Sequence, residues 1–297
     1  MTRPARVRLR EVGPRDGLQV EAPVPVPGRV ALIEALVAAG VVEIEVGAFV
    51  SPRAVPAMAG AADVLSMVER RPGVRRWALV PNLRGAQLAL ATTADGLSIT
   101  VSASEAYSQR NVGMSVGESV AVAGQIAGEA RGRVPVDAVI SCALGSPFGD
   151  EVTPGAAAAL GRRLTDAGMT TLTFADTTGM ATPRRIDALL DQTGVEVGLH
   201  LHDTRGTALV NAYAALDRGV ARFDTSIGGL GGSPFARTGA GAPPGGNLAT
   251  EDLVHLLDDL GVETGVNLAS LIEASRLVAS LIGHAVPSRV ACAGPRR

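Results

Sequence analysis

The chain alternates between two hydrophobic rhythms. Short runs rich in β-branched and other apolar residues read as strands at Val7–Val12, Val41–Gly47, Arg75–Val80, Gly96–Ser102, Val136–Ala143, Thr170–Asp176, Val195–His202 and Ala221–Ser226. Longer stretches with helical spacing lie between them, among them Arg29–Ala39, Ala62–Arg70, Gly117–Gly132, Pro154–Ala167 and Thr207–Arg218. Strands that alternate with helices eight times predict one (β/α)8 barrel, a TIM barrel, over residues 1–297. A doubly wound open sheet is the competing topology. No G-x-G-x-x-G follows the first strand, however, so dinucleotide binding has no support. After Asn247 an eighth helix is expected, with Thr250 as its N-cap and Glu251 and Asp252 in its first turn. An extra C-terminal helix, Leu268–Leu281, closes the pattern.

Composition adds mostly exclusions. The 297 residues are 46% apolar with net charge −2, enough for a large core and without the basic excess that nucleic acid would need. All 27 basic residues are arginine. A lysine Schiff base is therefore excluded, because that chemistry needs a primary amine. Cys142 and Cys292 are too few and too far apart for a disulfide scaffold and read as reduced thiols of a cytoplasmic protein. The start MTRPARVRLREVG lacks the apolar segment of a secretory signal, and no apolar run reaches membrane-spanning length.

Barrel chemistry gathers where strands end. At those positions stand Arg15 and Asp16 in GPRDGLQ, Glu43 and Glu45 on strand two, Asp176 ending strand six, and His200-Leu201-His202-Asp203 ending strand seven. Residues two apart on a strand face the same way, so His200 and His202 project together, ~7 Å apart. That pair is a platform for a divalent metal, or two hydrogen-bonded polar residues; the motif alone does not choose. Barrel closure brings strand one beside strand eight and near strand seven, gathering Asp16, His200, His202 and the end of the strand-eight loop at one corner. A mixed N/O ligand set favours Mg2+ or Mn2+ and leaves Zn2+ open. Arg15 suits a developing enolate or a carboxylate, or it pairs with Glu11 or Glu21. Glu45 and Asp176 are candidate carboxylates of the mouth, and Glu45 is equally a candidate ion-pair partner for Arg15.

Five segments carry a resemblance: EVGPRDGLQ, EVGAFVSPRAVPAM, SASEAYSQRN, GLHLHDTRGTALVNAYAAL, and GGLGGSPFA followed by GNLATEDLVHLL. In order, over nearly the whole chain, they resemble the hydroxymethylglutaryl-CoA lyases. The resemblance implies a (β/α)8 barrel and a divalent cation held by Asp16, His200, His202 and Asn247. It also implies cleavage of 3-hydroxy-3-methylglutaryl-CoA to acetoacetate and acetyl-CoA. Arg15 would then stabilise the enolate oxygen, and His200 or a metal-bound water would take the alcohol proton. The chain departs from the family pattern at Ser233, where a cysteine that looks like the final acid is expected. It departs again at Ala22 and Ala48, where lysine and serine are expected, and in the length of RTGAGAPPGG. A related lyase or acyltransferase for another 3-hydroxyacyl-CoA, or a weakly active or non-catalytic homologue, stay as alternatives. An acyl-CoA is the expected partner, and a dimer or tetramer the expected assembly. The glycine-rich stretch Gly228–Asn247 suits a flap over the barrel mouth.

Overall fold

In the computed structural model, which describes residues 3–233, 235 and 246–296, eight parallel strands close into a barrel. They are β1 (Arg8–Glu11), β2 (Glu43–Ala48), β3 (Arg75–Leu79), β4 (Gly96–Ser102), β5 (Val136–Ser141), β6 (Thr171–Ala175), β7 (Gly198–His200) and β8 (Arg222–Thr225). The closing pair sets Leu9 against Phe223 and Glu11 against Thr225, so β1 does lie beside β8. Strand order follows chain order throughout, as short right-handed βα crossovers require.

All eight expected strands form: β4 has the expected bounds, β2 starts later and ends one residue beyond Gly47, and the other six are shorter. β5 stops at Ser141 because Cys142 turns away in a left-handed conformation, φ 56°. Its N–H is satisfied by the Thr177 hydroxyl at 2.7 Å rather than by a strand neighbour. β7 is three residues long, so His202 lies beyond it. The helices are α1 (Val26–Ala38), α2 (Ala61–Met67), α3 (Leu83–Leu90), α4 (Glu105–Val112), α5 (Val116–Ala130), α6 (Pro154–Asp166), α7 (Pro183–Thr193), α8 (Ala208–Arg218), α9 (Thr250–Asp259), α10 (Leu268–Ile282) and α11 (Arg289–Ala293). Side-chain caps fix several starts: Asn82 for α3, Ser104 for α4, Ser115 in a capping box with Glu118 for α5, and Thr182 before Pro183 for α7. Two helices rather than one follow β8 and its loop before the C-terminus beyond α9, the second capped by Ser288. Thr250 is not the cap of α9. It is the first helical residue, and its hydroxyl donates to Glu11 Oε2 at 2.6 Å. Among the described residues no helix is long and apolar enough to cross a membrane.

Ile44, Leu97, Ile140, Phe174, Leu199 and Phe223 anchor a core that runs around the strands and under the helices. The barrel's interior also carries charge. Arg10 on β1 donates to both oxygens of Asp224 at 2.8 and 2.7 Å and reaches Asp137 on β5 at 2.9 Å. Strands one and five stand on opposite sides of an eight-stranded barrel, so this contact crosses the middle. Removing one member of such a buried set leaves an uncompensated charge, at about 3–5 kcal/mol.

Candidate active site

The site begins with a wide turn. Beyond β1 the amides of Asp16 and Gly17 both return to the Val12 carbonyl, at 2.6 and 3.3 Å, over Gly13–Gly17. This lifts Arg15 and Asp16 onto the C-terminal rim of the barrel. On the far side of β8, residues 246–248 run alongside residues 201–203. Asp203 N–H donates to the Gly246 carbonyl at 2.9 Å and Leu248 N–H to the Leu201 carbonyl at 2.8 Å. His202 and Asn247 are thereby bridged side by side. Close approach here needs glycine: Gly231 has φ +102°, and a Cβ on it would sit 2.5 Å from Asn247 Nδ2.

Asp16, His200 and His202 converge, with one potential ligand atom from each lying within 4.8 Å of the others. The ring centroids of the two histidines are 5.0 Å apart. Each histidine has one nitrogen occupied from behind. His200 Nδ1 faces Asp224 Oδ2 at 3.2 Å, and His202 Nδ1 donates to the Asp176 carbonyl at 2.7 Å. In both rings Nε2 remains to face the corner. Asn247 uses its amide nitrogen on Asp16 Oδ2 at 2.7 Å and on the Leu230 carbonyl at 2.9 Å. His202 Nε2 and Asn247 Oδ1 are both buried without a hydrogen-bond partner. Two orphaned acceptors beside a carboxylate cost free energy unless something electropositive satisfies them. A divalent cation with N and O ligands fits that demand, and no thiolate is present to favour a closed zinc site.

Electrostatics keep Asp16 and His202 in ligating form. Burial raises the pKa of Asp16, but Arg15 and the two histidines outweigh it and hold the carboxyl down at about 2. Burial, then the neighbouring His200, lowers His202 to about 4, so it is neutral at pH 7. Burial also pulls His200 down, yet the Asp224 hydrogen bond and charge, with Asp16, raise it on balance.

Arg15 is buried and donates to the carboxylate of Glu45 through Nε and to Asp16 Oδ1 through Nη1 at 2.5 Å. Of the partners weighed for it, Glu45 is the one it takes, rather than Glu11 or Glu21. Glu45 also accepts from the Ser98 hydroxyl and is fully buried, so its carboxylate is spent on orienting Arg15. The Asp176 carboxylate accepts the amides of Met180 (2.6 Å) and Ala181 (3.1 Å), and burial lifts its pKa to about 6. It shapes the loop after β6, while its carbonyl orients His202. Neither Glu45 nor Asp176 lines the cavity of about 300 Å3 at the mouth, whereas Arg15, Asp16, His200, His202 and Ser233 do. Cys142 is buried, unpaired and outside that lining, with its thiol pushed up to about 12 by burial. Ala48 is buried at the end of β2 and Ala22 is exposed. Of the stretch Gly228–Asn247 expected as a flap, residues 234 and 236–245 lie outside the described residues.

Two residues escaped the reading of the sequence. Asp224 sits inside β8, where the pattern alone marks a strand, yet it links Arg10 to His200. Tyr107 on α4 lines the same cavity and lies 3.5 Å from Ser233. An acidic residue in a buried strand was the available signal for Asp224. Tyr107 had none.

Comparison with known proteins shows the family of this chain. The HMGL-like family model matches residues 6–278. A 3-hydroxy-3-isohexenylglutaryl-CoA/hydroxy-methylglutaryl-CoA lyase of Pseudomonas aeruginosa is 41% identical over 298 residues, covering 98% of each chain. The mitochondrial hydroxymethylglutaryl-CoA lyase of Rattus norvegicus is 40% identical over 98% of this chain and 90% of its own. The crystal structure of hydroxymethylglutaryl-CoA lyase from P. aeruginosa superposes with TM-score 0.93, covering 99% of this chain and 98% of that one. An HMG-CoA lyase of A. baumannii, solved with coenzyme A and 3-methylmalate, is 35% identical with TM-score 0.91, over 98% and 96%. On the barrel, the rim residues and these full-length matches, the chain belongs to the HMGL-like family of lyases.

Proposed function

We propose that this protein is a divalent-metal-dependent carbon–carbon lyase that cleaves 3-hydroxy-3-methylglutaryl-CoA to acetoacetate and acetyl-CoA. The observation that carries the reading is the corner of Asp16, His200, His202 and Asn247, with two buried acceptors left for a cation. Mg2+ or Mn2+ suits this set best. When bound there, the cation supplies Lewis-acid polarisation of the substrate's tertiary alcohol and neighbouring carboxylate, making the alcohol proton easier to lose.

The protein's own residues do the rest. Asp224 and the Asp176 carbonyl fix the two imidazoles with Nε2 forward. A nitrogen that serves as ligand does not also take a proton, so in this reading His200 ligates and the alcohol proton leaves to cavity water. The carbon–carbon bond then breaks with its electron pair on the acetyl-CoA fragment. Arg15, held by Glu45, offers its remaining N–H donors to the enolate oxygen in a partly desolvated site. Ser233 stands on the cavity wall as the donor to the enolate carbon.

A specific observation favours a second reading. Val50, Val55, Leu79, Val80 and Val112 form an apolar wall of the cavity, suited to a 3-hydroxyacyl-CoA with a longer alkyl branch at C3. The P. aeruginosa relative is named for such a substrate as well as for the methyl one. Acetoacetate release from 3-hydroxy-3-methylglutaryl-CoA, with Mn2+ or Mg2+ added, tests the first reading. Absence of release, with cleavage of a longer-branched analogue, replaces it by the second.

A further inference from the structure

The hydroxyl of Tyr107 has no part in the metal corner, yet it faces the same cavity. Its backbone is pinned in the first turn of α4, where its N–H donates to the Ser104 cap at 3.0 Å. The side chain is 6% exposed, and its ring packs edge-on against Phe235 with centroids 5.3 Å apart and lies 6.1 Å from Phe148. This apolar setting leaves Oη 3.5 Å from Ser233 Oγ. Such contacts are often long without substrate and tighten in the complex.

A count of hydrogens decides what the contact does. A serine hydroxyl has one proton and two acceptor lone pairs. The Phe235 N–H donates to Ser233 Oγ at 3.2 Å and takes one of them. A phenol is a much stronger acid than an alkyl hydroxyl and is the better donor of the two. Burial pushes Tyr107 up to about 12, so at neutral pH it keeps the proton it donates. With both lone pairs filled, the serine's own proton has one direction left, into the cavity.

We propose that Tyr107 is a positioning residue: by donating to Ser233 it makes the serine hydroxyl a proton donor aimed at the enolate carbon. The step balances. The carbon–carbon bond breaks onto the acetyl-CoA fragment, and the enolate carbon gains the Ser233 proton. Ser233 Oγ regains a proton from Tyr107, and cavity water restores the phenol. This rests on the lyase reading above.

The test combines Tyr107→Phe with Ser233, Ser233→Ala and Ser233→Cys backgrounds. Two readouts are taken with Mn2+: kcat and KM for 3-hydroxy-3-methylglutaryl-CoA, and exchange of acetyl-CoA methyl protons with D2O followed by NMR. Tyr107→Phe is expected to lower kcat and exchange ~10-fold with KM within ~2-fold, and Ser233→Ala to lower both ~100-fold, the lower end for general acid catalysis. On Ser233→Ala the tyrosine change should add nothing, because the two act as a unit. On Ser233→Cys it should matter less than ~2-fold, since a thiol with pKa of about 8.5 is an acid without help. Equal losses in all three backgrounds, or a raised KM with kcat and exchange intact, would make Tyr107 a packing residue and overturn the proposal. The exchange arm requires no cleavage. A wild type that exchanges but leaves the substrate whole therefore overturns the substrate reading, while the variants still decide Tyr107.

Discussion

Two groups of buried or part-buried acids sit close together at this end of the barrel, and they are built on opposite principles. At the metal corner, Asp16 and Asp224 lie against cations: Arg15 at 2.5 Å for the first, Arg10 at 2.7 Å for the second. Burial raises both, but the neighbouring positive charges win, and both are held below the ordinary aspartate range. Behind that corner, Glu11 and Glu251 are completely buried, and their hydrogen-bond partners are neutral. Glu11 accepts from the amides of Gly13 (2.7 Å) and Ile227 (2.8 Å) and from Thr250. Glu251 accepts from the Gly228 amide at 2.9 Å and from the Ser275 hydroxyl. Desolvation dominates, lifting Glu11 to about 7 and Glu251 to about 8. The difference separates function from architecture: an acid kept charged by cations can hold a metal, while one kept near neutrality by burial ties loops together through the amides it accepts. The second pair secures the turn Ile227–Gly229, which leads into the segment carrying Ser233.

Breaking each group should therefore give different losses. Asp16→Asn is expected to reduce turnover by at least ~10^3-fold with a smaller loss of melting temperature than Glu251→Ala, because it removes a metal ligand and an enolate-side charge without opening a cavity and leaves Arg15 its Glu45 partner. Steady-state kinetics and differential scanning calorimetry on the same preparation check both halves. Asp224→Asn should weaken Mn2+ affinity 10- to 100-fold, measured by titration with EPR detection, since it unfixes the His200 ring. It also lowers stability by leaving Arg10 short of a charge. Glu251→Ala should do the reverse of Asp16→Asn. Loss of the Gly228 and Ser275 contacts is worth about 2–4 kcal/mol, or roughly 5–10 °C in melting temperature, with kcat retained when assayed well below the transition.

The smallest effect is in pH. The folded pKa values of Glu11 and Glu251 lie above their unfolded value of 4.5. Folded protein thus holds protons that unfolded chain releases. Their stabilisation is complete below pH 4.5 and is lost as pH rises through about 7 and about 8. Glu251→Gln should flatten the decline in melting temperature of metal-free protein over that window by a few degrees. An unchanged slope would mean that these carboxyls are not the neutral anchor described.

The outer pattern of this molecule was legible because periodicity reports burial directly. All eight strands and the closing β1–β8 neighbourhood follow from it, as does the convergence of Asp16, His200 and His202. Strand ends were read too long wherever a side chain takes over from the ladder, as Thr177 does at Cys142. Thr250 looked like a cap because its position and neighbours fit one, but a buried Glu11 on another strand claimed its hydroxyl. Helices α3, α4 and α7 carried cap signals at Asn82, Ser104 and Thr182 that apolar spacing alone left unbounded. Whether Glu45 points at substrate or at Arg15 depends on a contact thirty residues away in sequence, which spacing does not encode. The Tyr107–Ser233 contact spans 126 residues and is of the same kind.

The central claim is that the corner of Asp16, His200, His202 and Asn247 holds a divalent cation on which carbon–carbon cleavage depends. The direct measurement is acetoacetate formation from 3-hydroxy-3-methylglutaryl-CoA by protein stripped with EDTA, before and after Mn2+ is returned. The account predicts no turnover above background in the stripped protein, recovery on adding Mn2+, and no recovery in His202→Ala. Undiminished turnover by the stripped protein, or full recovery in His202→Ala, would contradict it.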